Sequence, residues 1–182
     1  YLFHLSNYNK ALVQRNALLR QMAGDPTLSD MLQMWDDQLI SNGEKIIELR
    51  QQFIDEIGAI AKEIHKKLTN EEEVLILSYE PEVKKEEFAD KLRQTRTRDI
   101  AAKMTTVGPH RDDICFMIQR PEKDAEDVRK YGSQGQQRTS ALSLKLAEIE
   151  LVKQKIKDAP IILLDDVLSE LDRKRQKQLL DS

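Results

Sequence analysis

The chain has 182 residues, of which 34% are charged and 5% aromatic, enough for one domain or two small ones and richer in solvated surface than a compact globule. A formal net charge of -3 excludes global basic character as a source of nucleic-acid binding, leaving only a local patch. The single cysteine excludes an internal disulfide, and no apolar stretch approaches the roughly 20 residues of a membrane span.

Residues 1–22 read as a helix on the three-four spacing of Leu5, Tyr8, Leu12, Leu19 and Met22, with Arg15 in the intermediate slot. Gly24-Asp25-Pro26 stops it, and Thr27 to Asp30 offer capping residues for the next helix. From Leu28 an apolar stripe continues in steps of three or four through Leu32, Trp35, Leu39, Asn42, Ile46, Leu49, Phe53, Ile57, Ile60, Ile64 and Leu68. Unbroken, a helix over 28–69 reaches roughly 60 Å. A turn at Asn42-Gly43 would instead give two shorter antiparallel helices. Either way residues 1–69 form a helical arm.

Val74 to Tyr79 is a strand candidate, Pro81 follows, and 82–104 is helical again with a break near Thr95. Phe88, Leu92, Ile100 and Met104 carry its apolar face. Lys84, Lys85, Lys91, Arg93, Arg96, Arg98 and Lys103 concentrate here. Such a run is either a solvated face or a phosphate or partner surface, for which Arg93, Arg96 and Arg98 are the candidates. Residues 114–118 form a second strand, in which Cys115 reads as a small buried hydrophobe. A polar loop or short helix occupies 121–130. A helix over 136–157 carries Leu142, Leu144, Leu146, Ile149, Leu151, Val152 and Ile156, a face wide enough to predict deep burial. Pro160 opens the continuous apolar strand Ile161 to Leu164, and a charged helix starts near Leu171.

The chemistry sits in the last third. A buried strand ending in Asp165 and Asp166 is the Walker B pattern: the strand delivers Asp165 to the sheet edge, where it can hold Mg²⁺, and Asp166 can orient or deprotonate an attacking water. Ser169-Glu170-Leu171-Asp172 follows and resembles the D-loop of ABC-type ATPases. Before the strand stands Gly132-Ser133-Gln134-Gly135-Gln136-Gln137-Arg138, a serine and a glycine at a helix N-terminus, where backbone N–H groups favour an anion. It resembles the ABC signature, with Gln134 in place of the first glycine. None of the six glycines is followed by lysine, so the chain contains no P-loop. Three histidines with no second ligand at metal spacing argue against a structural metal.

The spelling is more specific than the superfamily. Residues 132–139, residues 106–113 (Thr-Val-Gly-Pro-His-Arg-Asp-Asp) and residues 8–16 with Leu18-Leu19 resemble three fingerprints of the RecF family. That resemblance implies an α+β fold: a mainly helical arm, a coiled-coil-like hairpin or bundle over 1–104, attached to part of an ABC-type α/β ATPase head over 105–182. It implies a bacterial DNA repair and recombination mediator that binds ATP, Mg²⁺ and DNA, on gaps or at single-strand/double-strand junctions. Such a protein dimerises with ATP and works with RecR and RecO to load RecA. In the dimer the signature of one subunit caps the nucleotide of the other, so Ser133, Gln134, Gly135 and Gln136 with Asp172 are the expected cofactor contacts. Asp165 is the expected Mg²⁺ residue and Asp166 the catalytic carboxylate. The family's P-loop would precede Tyr1, so this stretch alone is expected to bind no nucleotide and hydrolyse no ATP; it reads as a piece of a longer cytoplasmic, nucleoid-associated protein. Two other readings are the arm of an SMC-like or RecN-like chromosome ATPase, and a helical module that only docks a partner. His110 and Arg111 have either a phosphate or a junction to hold.

Overall fold

The computed structural model describes residues 1–21 and 29–156. Met22, the Gly24-Asp25-Pro26 stop, Thr27, Leu28, the strand over 161–164, the helix near Leu171 and the residues Asp165, Asp166 and Asp172 lie outside the described residues. Within them the fold is α+β, helical with one three-stranded sheet.

Helix α1 spans Leu2–Gln21 and buries Tyr8, Ala11, Arg15, Leu18 and Leu19 on one face. Arg15 is fully buried among them, so the slot that broke the apolar spacing belongs to the core.

Helix α2 runs unbroken over Ser29–Leu68, 40 residues and about 60 Å. Asn42-Gly43 is therefore not a turn. Asn42 Nδ2 donates to the Gln38 carbonyl 2.9 Å away, one helical turn back. Gly43 serves close packing instead: a Cβ there would overlap the ring edge of Phe88 and lie 3.2 Å from Cε2 of Tyr8. Leu32, Leu39, Ile46, Ile57 and Leu68 are buried as the stripe predicts, but Phe53 is 48% exposed and Ile54 is buried in its place. Repeated steps of seven lag a 3.6-residue helix by about 20° per heptad, so the inward face passes from Phe53 to Ile54.

The remaining elements are β1 (Val74–Glu80), α3 (Phe88–Gln94), α4 (Arg96–Ala102), β2 (Asp113–Gln119), β3 (Glu126–Asp127), α5 (Val128–Tyr131) and α6 (Gln134–Ile156). Single 3-10 turns occupy Lys85–Glu87 and Pro109–Arg111. Thr95 ends α3 and starts α4, as predicted, while Lys103 in the left-handed region (φ 56°) closes α4 and leaves Met104 exposed.

The chain divides into two compact units, each built from two stretches: Tyr1–Gln52 with Tyr79–Asp113, and Phe53–Ser78 with Ile114–Ser182. The sequence reading divides it once, at 104/105. In the first unit Leu18, Leu19 and Leu32 form a core against which Trp35 and Ile100 pack. In the second the strand order is β1-β2-β3, with β2 and β3 antiparallel and Met117 opposite Asp127. Helix α6 buries Thr139, Ser140, Leu142, Ser143, Ala147 and Leu151, whereas Val152 and Ile156 are exposed. Its buried face is thus narrower and more polar than the leucine pattern predicts.

Candidate functional site

The signature segment sits at the start of α6. Ser133 and Gln136 cap the helix reciprocally: the Gln136 N–H donates to Ser133 Oγ at 3.2 Å, and the Ser133 N–H donates to Gln136 Oε1 at 2.9 Å. This is the Ser-x-x-Gln capping box, which satisfies two donors that a helix start otherwise leaves open. Ser133, Gln134 and Gly135 are exposed, and the first turn of α6 carries no acidic residue. Among the described residues outside the backbone of the helix itself, a Cβ built at Gly135 would meet only Ser133 Oγ, at 3.9 Å. A helix N-terminus of this kind attracts an anion through its N–H groups and its positive end.

The cap is tied to a second element. Gln136 Nε2 donates to Glu73 Oε1 at 2.6 Å, and Glu73 Oε2 stands 3.6 Å from Nε2 of the buried His65 near the end of α2. Sequence spacing gives no sign of Glu73 or His65, because their partners on α6 are more than 60 positions away.

The basic run behaves unevenly. Arg96 donates to Asp36 Oδ2 at 2.8 Å and to Gln33 Oε1 at 2.9 Å, and that Asp36 is fully buried. Arg98 is exposed and reaches Thr106 Oγ1 at 2.6 Å; Arg93 is exposed and pairs with Asp90 at 3.2 Å. Arg93 and Arg98 have room to exchange those partners for a phosphate, whereas Arg96 neutralises a buried carboxylate.

Residues 106–113 act as a structural knot in the first unit. Gly108 adopts φ +133°, where an L side chain is strained, and a Cβ there would lie 2.5 Å from the Tyr8 hydroxyl. His110 Nε2 faces the Thr105 carbonyl at 3.4 Å, which can only accept, so Nε2 carries the proton and Nδ1 accepts from the Tyr8 hydroxyl at 2.8 Å. Burial pushes the Tyr8 hydroxyl far above its ordinary pKa, with the Asp112 charge adding to the effect. Burial pulls His110 below its ordinary value. Asp112 accepts from Arg50 Nη1 at 2.9 Å, from the Tyr79 hydroxyl and from the Glu82 N–H. The same Arg50 nitrogen donates to the Pro109 carbonyl at 2.5 Å.

No protein-family model matches the chain. It is 57% identical over 182 residues to the DNA replication and repair protein RecF of Lachnoclostridium phytofermentans, covering all of this chain and 49% of that one. Over its whole length this chain is similar to proteins of the RecF family. It is 53% identical to the RecF of Agathobacter rectalis, again over its whole length. The chain spans about half the length of the curated relatives it matches. A solved structure of the recombination mediator protein RecF-ATP in the RecFOR pathway superposes with a TM-score of 0.87 at 34% identity, covering 100% of this chain and 49% of that one. Among the described residues no helix is long and apolar enough to cross a membrane.

Proposed function

We propose that this chain supplies the arm and the signature-bearing part of an ATP-gated recombination mediator that acts in DNA repair with RecO and RecR. The observation that carries the reading is the exposed, pre-capped turn Ser133 to Gln136 at the start of a 23-residue helix. It matches the ABC signature in spelling and lies within a chain that resembles an ATP-associated RecF structure throughout. In this reading Ser133, Gln134, Gly135 and Gln136 contact the γ-phosphate held by a second subunit. Asp172 completes the interface, Asp165 holds Mg²⁺ and Asp166 activates water. ATP therefore drives homodimerisation, and hydrolysis releases it. The functional division remains an arm over 1–104 and a head portion over 105–182. Arg93 and Arg98 contribute phosphate contacts to gapped DNA, RecA loading lies downstream, and the whole protein works in the cytoplasm on the nucleoid.

The test uses the full-length protein. Ser133→Arg fills the space that a trans phosphate would take. It will abolish ATP-driven dimers in light scattering while monomer nucleotide binding stays nearly intact. Asp166→Asn will keep the dimer and slow phosphate release. Normal dimerisation of Ser133→Arg would refute the reading.

A further inference from the structure

We infer that Glu73 and His65 are positioning residues of the signature turn: they hold the Gln136 side chain, and through it Ser133, in the form that meets a phosphate in trans. The inference rests on the reading of Ser133 to Gln136 given above. Gln136 is engaged at both ends of one amide. Its Oε1 accepts the Ser133 N–H at 2.9 Å, and its Nε2 donates to Glu73 Oε1 at 2.6 Å. Because the amide is planar and its two ends differ chemically, rotating it by half a turn would break both bonds. Glu73 thereby selects the one orientation in which Gln136 caps Ser133.

Glu73 also faces His65: its second oxygen stands 3.6 Å from Nε2 of the fully buried ring, an ion pair when both ring nitrogens carry a proton. His65 Nδ1 lies 2.9 Å from Ser143 Oγ, whose own proton goes to the Thr139 carbonyl at 2.8 Å. A serine hydroxyl has one proton to give, so Ser143 accepts from His65 and the Nδ1 proton is fixed. Thr139 Oγ1 then donates to the Gly135 carbonyl at 2.8 Å. Hydrogen bonds run from Gln136 to Glu73 on one side and from His65 through Ser143 and Thr139 back to Gly135 on the other, and the 3.6 Å Glu73–His65 approach joins the two. A capping box fixes a helix start only from within its own first turn. This relay ties that turn to α2 and to the second turn of α6, so less order must be imposed when the anion binds.

The experiment uses the full-length protein and ATP. Dimer formation is followed by light scattering over protein concentration, monomer nucleotide binding by a fluorescent ATP analogue, and folding by the thermal midpoint. Glu73→Ala will weaken the dimer about tenfold, the loss of one charge-assisted hydrogen bond, with monomer nucleotide binding within about twofold of the parent. Glu73→Gln keeps a carbonyl acceptor for Gln136 and will restore the dimer to within about threefold. Should Glu73→Ala not fold, Glu73→Asp, which keeps the charge but shortens the reach, takes its place with the same expected loss. Adding Glu73→Ala to Gln136→Ala will weaken the dimer no further. A dimer of normal strength in Glu73→Ala, equal defects in Glu73→Ala and Glu73→Gln, or additive losses in the double variant would each overturn the inference. Ser133→Arg separates the two levels. If it abolishes the dimer while Glu73→Ala does not, only the positioning role fails; if it dimerises normally, the signature reading fails and the positioning role with it.

Discussion

Arg15 Nη1 donates to Asp99 Oδ2 across 2.7 Å, with both side chains fully buried and the two residues 84 positions apart in the chain. Arg15 Nε also meets Asp36 Oδ1 at 2.6 Å, and Arg96 meets the other Asp36 oxygen at 2.8 Å. Two arginines thus neutralise two buried aspartates, while Thr105 accepts from Arg15 and Thr106 donates to Asp99. Arg15→Met would leave two carboxylates short of their main counter-charge in a dry site, at a cost of about 3–5 kcal/mol. Urea unfolding measures it; a loss below about 1 kcal/mol would contradict the view that Arg15 is the keystone of the first unit.

The same network separates the roles of the three arginines. Arg96→Ala will lower stability, because Asp36 loses a partner. Arg93→Ala with Arg98→Ala will leave the fold intact and weaken DNA binding by the full-length protein. The slope of log K against log salt will fall by about 1 for each phosphate that these side chains neutralise. An unchanged slope returns both residues to a solvated face.

Gly43→Ala gains about 1 kcal/mol of helix propensity, yet its methyl would overlap the buried Phe88 ring. Overpacking costs about 1–3 kcal/mol, so the net change will be destabilising. A raised thermal midpoint would show that Phe88 yields freely.

Tyr8 carries a pH signature. Burial, reinforced by the Asp112 charge, raises its hydroxyl pKa above the ordinary 10.0. Between that value and the folded one, the folded state keeps a proton that the unfolded state has released, so stability falls as pH rises. The contribution is fully present below about pH 10. Above it, the urea midpoint of the parent will fall more steeply than that of Tyr8→Phe. Parallel curves would contradict the burial.

The local periodic elements were legible. Three-four spacing found α1 and α2, apolar runs found β1 and β2, and Thr95 was read as a break. Spacing reports which face turns inward but not what meets it. Arg15 therefore looked like an interruption of its stripe until Asp36 and Asp99 supplied its partners, and Asn42-Gly43 could be read either as a turn or as the middle of one long helix until Phe88 filled the space beside Gly43. Helix α6 misled in the opposite sense: its leucines suggested a wide apolar face, but Thr139, Ser140 and Ser143 are buried on it, the Thr139 and Ser143 hydroxyls taken up by helix carbonyls and His65. At the signature, Ser133, Gly135 and Gln136 were legible as a motif. The Glu73 hydrogen bond was not, since nothing in local spacing joins residues 63 apart.

The central claim is that Ser133 meets the γ-phosphate of another subunit. The most direct measurement uses full-length protein carrying Ser133→Cys in a Cys115→Ser background, with an ATP analogue bearing an alkylating group on its γ-phosphate. The account predicts labelling of the introduced thiol at a rate that rises with the square of protein concentration and vanishes when Gly135→Arg is added. Labelling that is absent, or first order in protein, would contradict it.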